Sequence, residues 1–141
     1  MPVCRNKFSM KKKQIKINGN NFSDLTGFYQ EINRLFMHGM DWEMGHSLDA
    51  LNDILYGGFG VYDPGETVTV IWQNTSKSRA DLGREETRKN YEMKIKKGYP
   101  YNVKLFEEKL LEIENGNGQT LFDIITEIFR DHKNIDLSLE V

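Results

Sequence analysis

The chain lacks most of the features that would assign it at once to a special class of protein. Of its 141 residues only Cys4 is a cysteine, so no disulfide can form within it, which suits a reducing compartment. No apolar stretch approaches the roughly twenty residues a membrane span needs. Residues 1–13 are polar and basic without an apolar run, so they do not read as a secretory signal, and a cytoplasmic location is expected. There is no periodic repeat, no low-complexity tract and no cofactor fingerprint, so neither a cofactor nor a metal is expected. Only three prolines interrupt the chain, and 28% of its residues are charged against 38% hydrophobic, as in an ordinary globular protein. One domain spanning 1–141 is expected, with 1–12 a flexible tail in which Met10 is an alternative start.

The most informative lack is of positive charge. Between Arg34 and Lys77 there is no lysine or arginine, while Asp41, Glu43, Asp49, Asp53, Asp63 and Glu66 all fall inside. The other fifteen acids share the remainder with all nineteen bases, so a net charge of only −2 conceals a polarised molecule. A concentrated acidic surface steers a basic partner and repels nucleic acid.

Within that gap, Leu48, Leu51, Ile54 and Leu55 share one arc of a helical wheel, the pattern of a helix lying on a core. Asp49 and Asp53 fall nearly opposite, one turn apart. Gly45 and Gly57 occupy the positions a turn beyond, where a base would have neutralised them. Two like charges so placed cost a few tenths of a kcal/mol. The helix N-terminus offsets this for Asp49 but hardly for Asp53. A solvated face is one reading; a binding surface for something positively charged is the other, and the charge map favours it.

Taken in order, residues 14–18 alternate as a short strand, and Ser23 is placed to cap a helix whose Leu25, Phe28, Tyr29, Ile32, Leu35 and Phe36 recur at three and four. The acidic helix follows and closes at Gly57-Gly58. Residues 67–72, Thr-Val-Thr-Val-Ile-Trp, form the most β-branched run, apolar on both faces at its end as a central parallel strand would be. Residues 74–80 read as a loop leading into a helix. Residues 84–97 are helix-like but dominated by charge, with only Tyr91, Met93 and Ile95 to bury. Residues 103–113 form an amphipathic partner that stops at Asn115-Gly116-Asn117-Gly118. Thr120 and Asp123 open a last helix with a capping box, and 135–141 alternate as an edge strand. Three strands separated by helices predict an α/β fold with a small parallel sheet in the order 1-2-3, plus a helical hairpin over 84–113 that reads as an insertion.

A strand ending in Ile-Asn-Gly, a long helix, Met-Gly-x-x-Leu-Asp-Ala-Leu-x-Asp-x-Leu, a Val-Ile-Trp strand, and a final helix and strand follow in that order. This succession resembles the barstar family, small cytoplasmic bacterial inhibitors of secreted microbial ribonucleases. The resemblance covers roughly 12–82 and 114–141. It implies a barstar-like fold and a stoichiometric inhibitor, an immunity protein that is monomeric when free and plugs the basic active site of a ribonuclease or ribonuclease toxin. Asp49 and Asp53 match the family's two helix aspartates, with Asp53 expected to reach the phosphate-binding Arg, Lys and His groups of the nuclease; a carboxylate suits that role because it pairs with a guanidinium in bidentate fashion. Gly57 matches the glycine after the helix, and Glu114, within Glu-Asn-Gly, a peripheral acidic contact.

Three positions depart from the family. Its contact tyrosine before Met44-Gly45 is Glu43, with Trp42 one place away; the aromatic after Gly57 is Gly58, with Phe59 displaced by one; and the tryptophan between the aspartates is Asn52. The expected partner-binding set is therefore Trp42, Glu43, Gly45, His46, Asp49, Asn52, Asp53, Gly57, Gly58, Phe59 and Glu114. Aromatic anchors carry much of an interface's energy, so their displacement bears on which partner is bound.

Other readings are weaker. As an acid–base pair, Asp49 and Asp53 lack the burial that would separate their roles. His38 and His46 flank Asp41 and Glu43 at no standard metal spacing. The glycines of 57–60 follow a helix and lack a phosphate-loop lysine. His132 is placed to favour a helix terminus. Not an enzyme, then, is the expectation. Nucleic-acid binding by Arg84, Arg88, Lys89, Lys94, Lys96 and Lys97 competes with a solvated face, because acids are interspersed among them. A non-inhibitory module for another basic protein is the remaining alternative.

Overall fold

The computed structural model describes residues 13–59 and 61–141. The expected tail over 1–12, with the start at Met10, lies outside the described residues, as does Gly60.

Strand β1 (Lys13–Asn18) runs parallel to β2 (Val68–Gln73), which runs parallel to β3 (Ile135–Leu139), in the order β1-β2-β3. Lys13 pairs with Val68 and Asn18 with Gln73; Val68 pairs with Ile135 and Trp72 with Leu139. The central place of β2 follows from its side chains: Val68, Val70 and Trp72 are fully buried, and Thr69 and Ile71 are half-covered.

Helix α1 (Leu25–Phe36) begins at Asp24, not Ser23: the Asp24 carboxylate accepts the Gly27 N–H at 2.8 Å. Ser23 instead receives the Lys77 ammonium. Phe28 of α1 stacks on Trp72 at 5.5 Å, and Trp72 also meets Phe122 at 5.0 Å. Helix α2 (Leu48–Ile54) buries Leu51 and Ile54 in the same core.

Helix α3 (Thr75–Asp81) occupies what the sequence presents as a loop. Asn74 turns the chain in a left-handed conformation, with φ 59°, and the helix starts at once. Tertiary partners outweigh the poor propensity of Thr-Ser-x-Ser: Thr75 donates to the Glu140 carbonyl at 2.9 Å, and the Trp72 indole donates to Ser78 at 3.0 Å.

Helices α4 (Arg84–Lys97) and α5 (Val103–Glu114) form the expected hairpin. It is fastened to the body. The Glu86 carboxylate accepts the Leu25 N–H at 2.9 Å, and the Thr87 hydroxyl accepts the Leu121 N–H at 2.8 Å. Helix α6 (Leu121–Asp131) opens with the Thr120/Asp123 capping box and buries Phe122, Ile125 and Phe129. Among the described residues, no helix is long and apolar enough to cross a membrane.

Candidate functional site

Helix α2 is seven residues long, too short to hold its shape alone, so its neighbours fix it. The Ser47 hydroxyl caps its start by accepting the Ala50 N–H at 3.0 Å. At its end the Tyr62 hydroxyl donates to the Leu55 carbonyl at 2.8 Å, and the Gly57 N–H donates to Ile54 at 3.1 Å. Gly57 has φ 95°, and a Cβ there would sit 2.7 Å from the Asp63 carbonyl oxygen, so both conformation and space demand glycine.

From the outer face Asp49 and Asp53 project into solvent, and none of the ion pairs among the described residues involves either of them. Neither do any of their side chains' hydrogen bonds appear among the described residues. Of the six acids in the base-free stretch, Glu66 is countered, by Lys13 at 3.6 Å. Asp49 does have a cation in electrostatic reach: Lys94 of α4, from the hairpin. The helix wheel could not reveal it, since Lys94 approaches across space.

Asn52, between the two aspartates, faces the body. Its side-chain oxygen accepts a hydrogen bond at 2.8 Å from Nε2 of His132, whose ring meets Tyr56 edge-on at 4.5 Å. Here the expectation for His132 is corrected. It is the residue after α6, but its ring is buried and its pKa is pushed down by that burial, against the opposing pull of Asp131, so it works as a neutral strut under α2 and not as a charge at a helix end.

The loop before α2 is held by a residue the sequence reading missed. Asn33 of α1 is buried; its amide oxygen accepts the Met44 N–H at 2.8 Å and its NH2 donates to the Tyr29 carbonyl at 3.1 Å. A polar residue inside the apolar arc of Tyr29, Ile32 and Phe36 was the available signal. His46 stacks on Tyr29 with ring centroids 5.2 Å apart. Gly45 and Glu43 are exposed beside it.

The two aromatics that the sequence displaces by one position come together. Trp42, 48% exposed, meets Phe59 edge-to-face at 5.7 Å, bridging the loops on either side of α2. Gly58, at φ 93°, turns the second loop and accepts no side chain; its N–H donates to the Tyr62 carbonyl at 2.8 Å. Glu114 is not part of this group. It ends α5, where its carbonyl accepts from Arg84 at the start of α4. Among the described residues no cluster of His, Cys, Asp and Glu is arranged to hold a metal ion.

The architecture and this surface define a class: a small parallel α/β protein that displays an acidic helix between two loops. The sequence model of the family described as "Barstar (barnase inhibitor)" matches residues 12–92, more than half of the chain. The chain belongs to the barstar family. No curated protein matches it. The matched span ends inside α4, while the last helix and strand of the fold lie beyond it.

Proposed function

We propose that the protein is a stoichiometric inhibitor of a ribonuclease, working from the cytoplasm as self-protection against a nuclease or nuclease toxin of the same cell. The observation that carries this reading is the pair Asp49 and Asp53, exposed and without an ion-pair partner among the described residues, on a helix pinned at both ends. A ribonuclease active site gathers Arg, Lys and His around the RNA phosphates. Two carboxylates on a rigid helix present the same charge to it without a scissile bond. In the free protein Asp53 sits in the last turn, where the helix dipole opposes it, and one turn from Asp49, which repels it. Cations of the nuclease relieve both costs, so the attraction is stronger than for two isolated acids. Trp42 and Phe59 supply apolar area beside the charge, with Glu43, Gly45, His46, Gly57 and Gly58 forming the surrounding loops and Glu114 a contact at the periphery. The inhibitor is a monomer when free, needs no cofactor, and binds neither nucleic acid nor membrane.

The test is affinity capture of ribonucleases from the source organism on the immobilised protein, followed by RNA cleavage with and without the protein; barnase is assayed in parallel. A one-to-one loss of cleavage is expected. Asp53→Ala should weaken it roughly ten- to a hundredfold, the size of a lost charge-assisted hydrogen bond, while Glu66→Ala at the rim should cost less than about threefold. Cleavage that persists at excess inhibitor for every nuclease tried would overturn the reading and leave a non-inhibitory module for another basic protein.

A further inference from the structure

Between α2 and the hairpin lies a cleft of about 400 Å³, and the reading above makes no use of it. Leu48 and Asp49 line it from the helix; Met93, Lys94, Phe106 and Lys109 line it from the hairpin. Three features mark it as more than a packing gap. Met93, which the sequence presents as one of the few residues α4 can bury, is instead 48% exposed at the cleft. Lys94 is held against aromatic faces, 4.8 Å from the Phe106 centroid and 5.5 Å from that of Tyr101, and it forms no ion pair among the described residues. Lys109 likewise forms none there. The cleft therefore carries an acid on the α2 side and two bases on the hairpin side of an apolar floor, none of them in an ion pair among the described residues.

We propose that this cleft is a specificity pocket of the inhibitory surface, and that it receives one large apolar side chain of the nuclease, flanked by a basic group facing Asp49 and an acidic group facing Lys94 and Lys109. The proposal rests on the reading of α2 as the nuclease-binding helix. Charge complementarity selects this occupant: a patch of order base, apolar, acid is the reverse image of the cleft. Geometry agrees, because a typical partner covers about 800 Å² on each side, and Asp49 belongs at once to the helix surface and to the cleft. A nucleotide stacked on Phe106 would match the lysines but would bring its phosphate against Asp49. The pocket also gives the hairpin a role and supplies apolar anchoring beside Asp49, separate from the Trp42–Phe59 pair.

The experiment compares Met93→Glu, Lys109→Glu, Asp53→Ala and Leu111→Ser in the full chain. The probes are barnase and the ribonucleases recovered on the wild-type protein. Met93 is exposed, so its substitution leaves the fold intact, which a melting curve checks. Met93→Glu should weaken binding about tenfold. Lys109→Glu should weaken it about threefold at low salt and little at high salt. Leu111→Ser, exposed and away from the cleft, should change nothing. If Asp53→Ala weakens binding and Met93→Glu does not, the pocket is overturned and the inhibitory helix stands. If neither does, or if the wild type binds no ribonuclease, both fall. A measurement without nuclease uses 4-ethylphenol as a stand-in side chain: saturable shifts of the Met93 methyl and Phe106 ring resonances are expected, with the Phe106 shifts lost in Met93→Glu. No shift overturns the pocket, and tighter binding of an oligouridylate by the free protein than of 4-ethylphenol at the same resonances overturns its assignment to a protein side chain.

Discussion

Helices α2 and α4 both show a charged face to solvent, yet they dispose of their charge in opposite ways. On α4, Arg88 is held between Glu85, one turn before it, and Glu92, one turn after, so that a largely exposed face neutralises itself. On α2 the same spacing carries Asp49 and Asp53, two charges of one sign, with no ion pair formed among the described residues. A self-paired face is stable in water and has little left to offer a partner. A face of one sign carries a small standing cost in the free protein, which only something outside it can remove. The comparison separates a structural use of charge from an available one, and it does so by spacing and sign, not by the number of charges.

Three substitutions put this contrast to the test. The largest effect is expected at Gly57, which lets the chain leave α2. Gly57→Ala forces a side chain into φ 95° and toward the Asp63 carbonyl. It should cost about 2 kcal/mol of stability, read from denaturant unfolding, and weaken inhibition together with it. An unchanged stability would mean that the loop is free to rearrange and does not fix the helix.

A smaller effect is expected from acid. Burial holds the pKa of His132 below its ordinary value, so the folded protein takes up the proton less readily than the unfolded chain does. The stability it contributes is whole above about pH 6.5 and is lost as the pH falls from there toward the folded-state value. His132→Gln keeps a donor for Asn52 and removes the titration. The melting temperature of the variant should fall less between pH 7 and 5 than that of the wild type. An identical slope would show that His132 is not the group responsible. The smallest effect is expected on α4, where Arg88→Ala removes two exposed ion pairs that water and salt screen, so the unfolding midpoint should barely move. Inhibition should not change.

Much of the architecture is legible in the sequence because it depends on local pattern. The apolar run ending at Trp72 announces a central strand, Thr120 with Asp123 announces a helix start, and the recurrence from Leu25 to Phe36 announces a helix; each is found in place. What depends on contacts distant in sequence is not legible. The helical form of 75–81 comes from Trp72 and Glu140. The role of His132 under α2 depends on its burial and on its hydrogen bond to Asn52, eighty residues away. The cleft needs Lys94 of the hairpin to approach Asp49 of α2, forty-five residues away. The exposure of Asp49 and Asp53 was readable, because their position opposite a leucine arc decides it. The meeting of Trp42 and Phe59 was not, since it depends on how two loops fold back.

The most direct measurement is the inhibition constant against a captured ribonuclease for Asp49→Asn/Asp53→Asn beside Lys89→Gln/Lys96→Gln, each double variant removing two exposed charges from one helix. Loss of inhibition by a hundredfold or more in the first, with less than about threefold change in the second, is the predicted result. Equal losses, or full inhibition by the protein stripped of both aspartates, would contradict it.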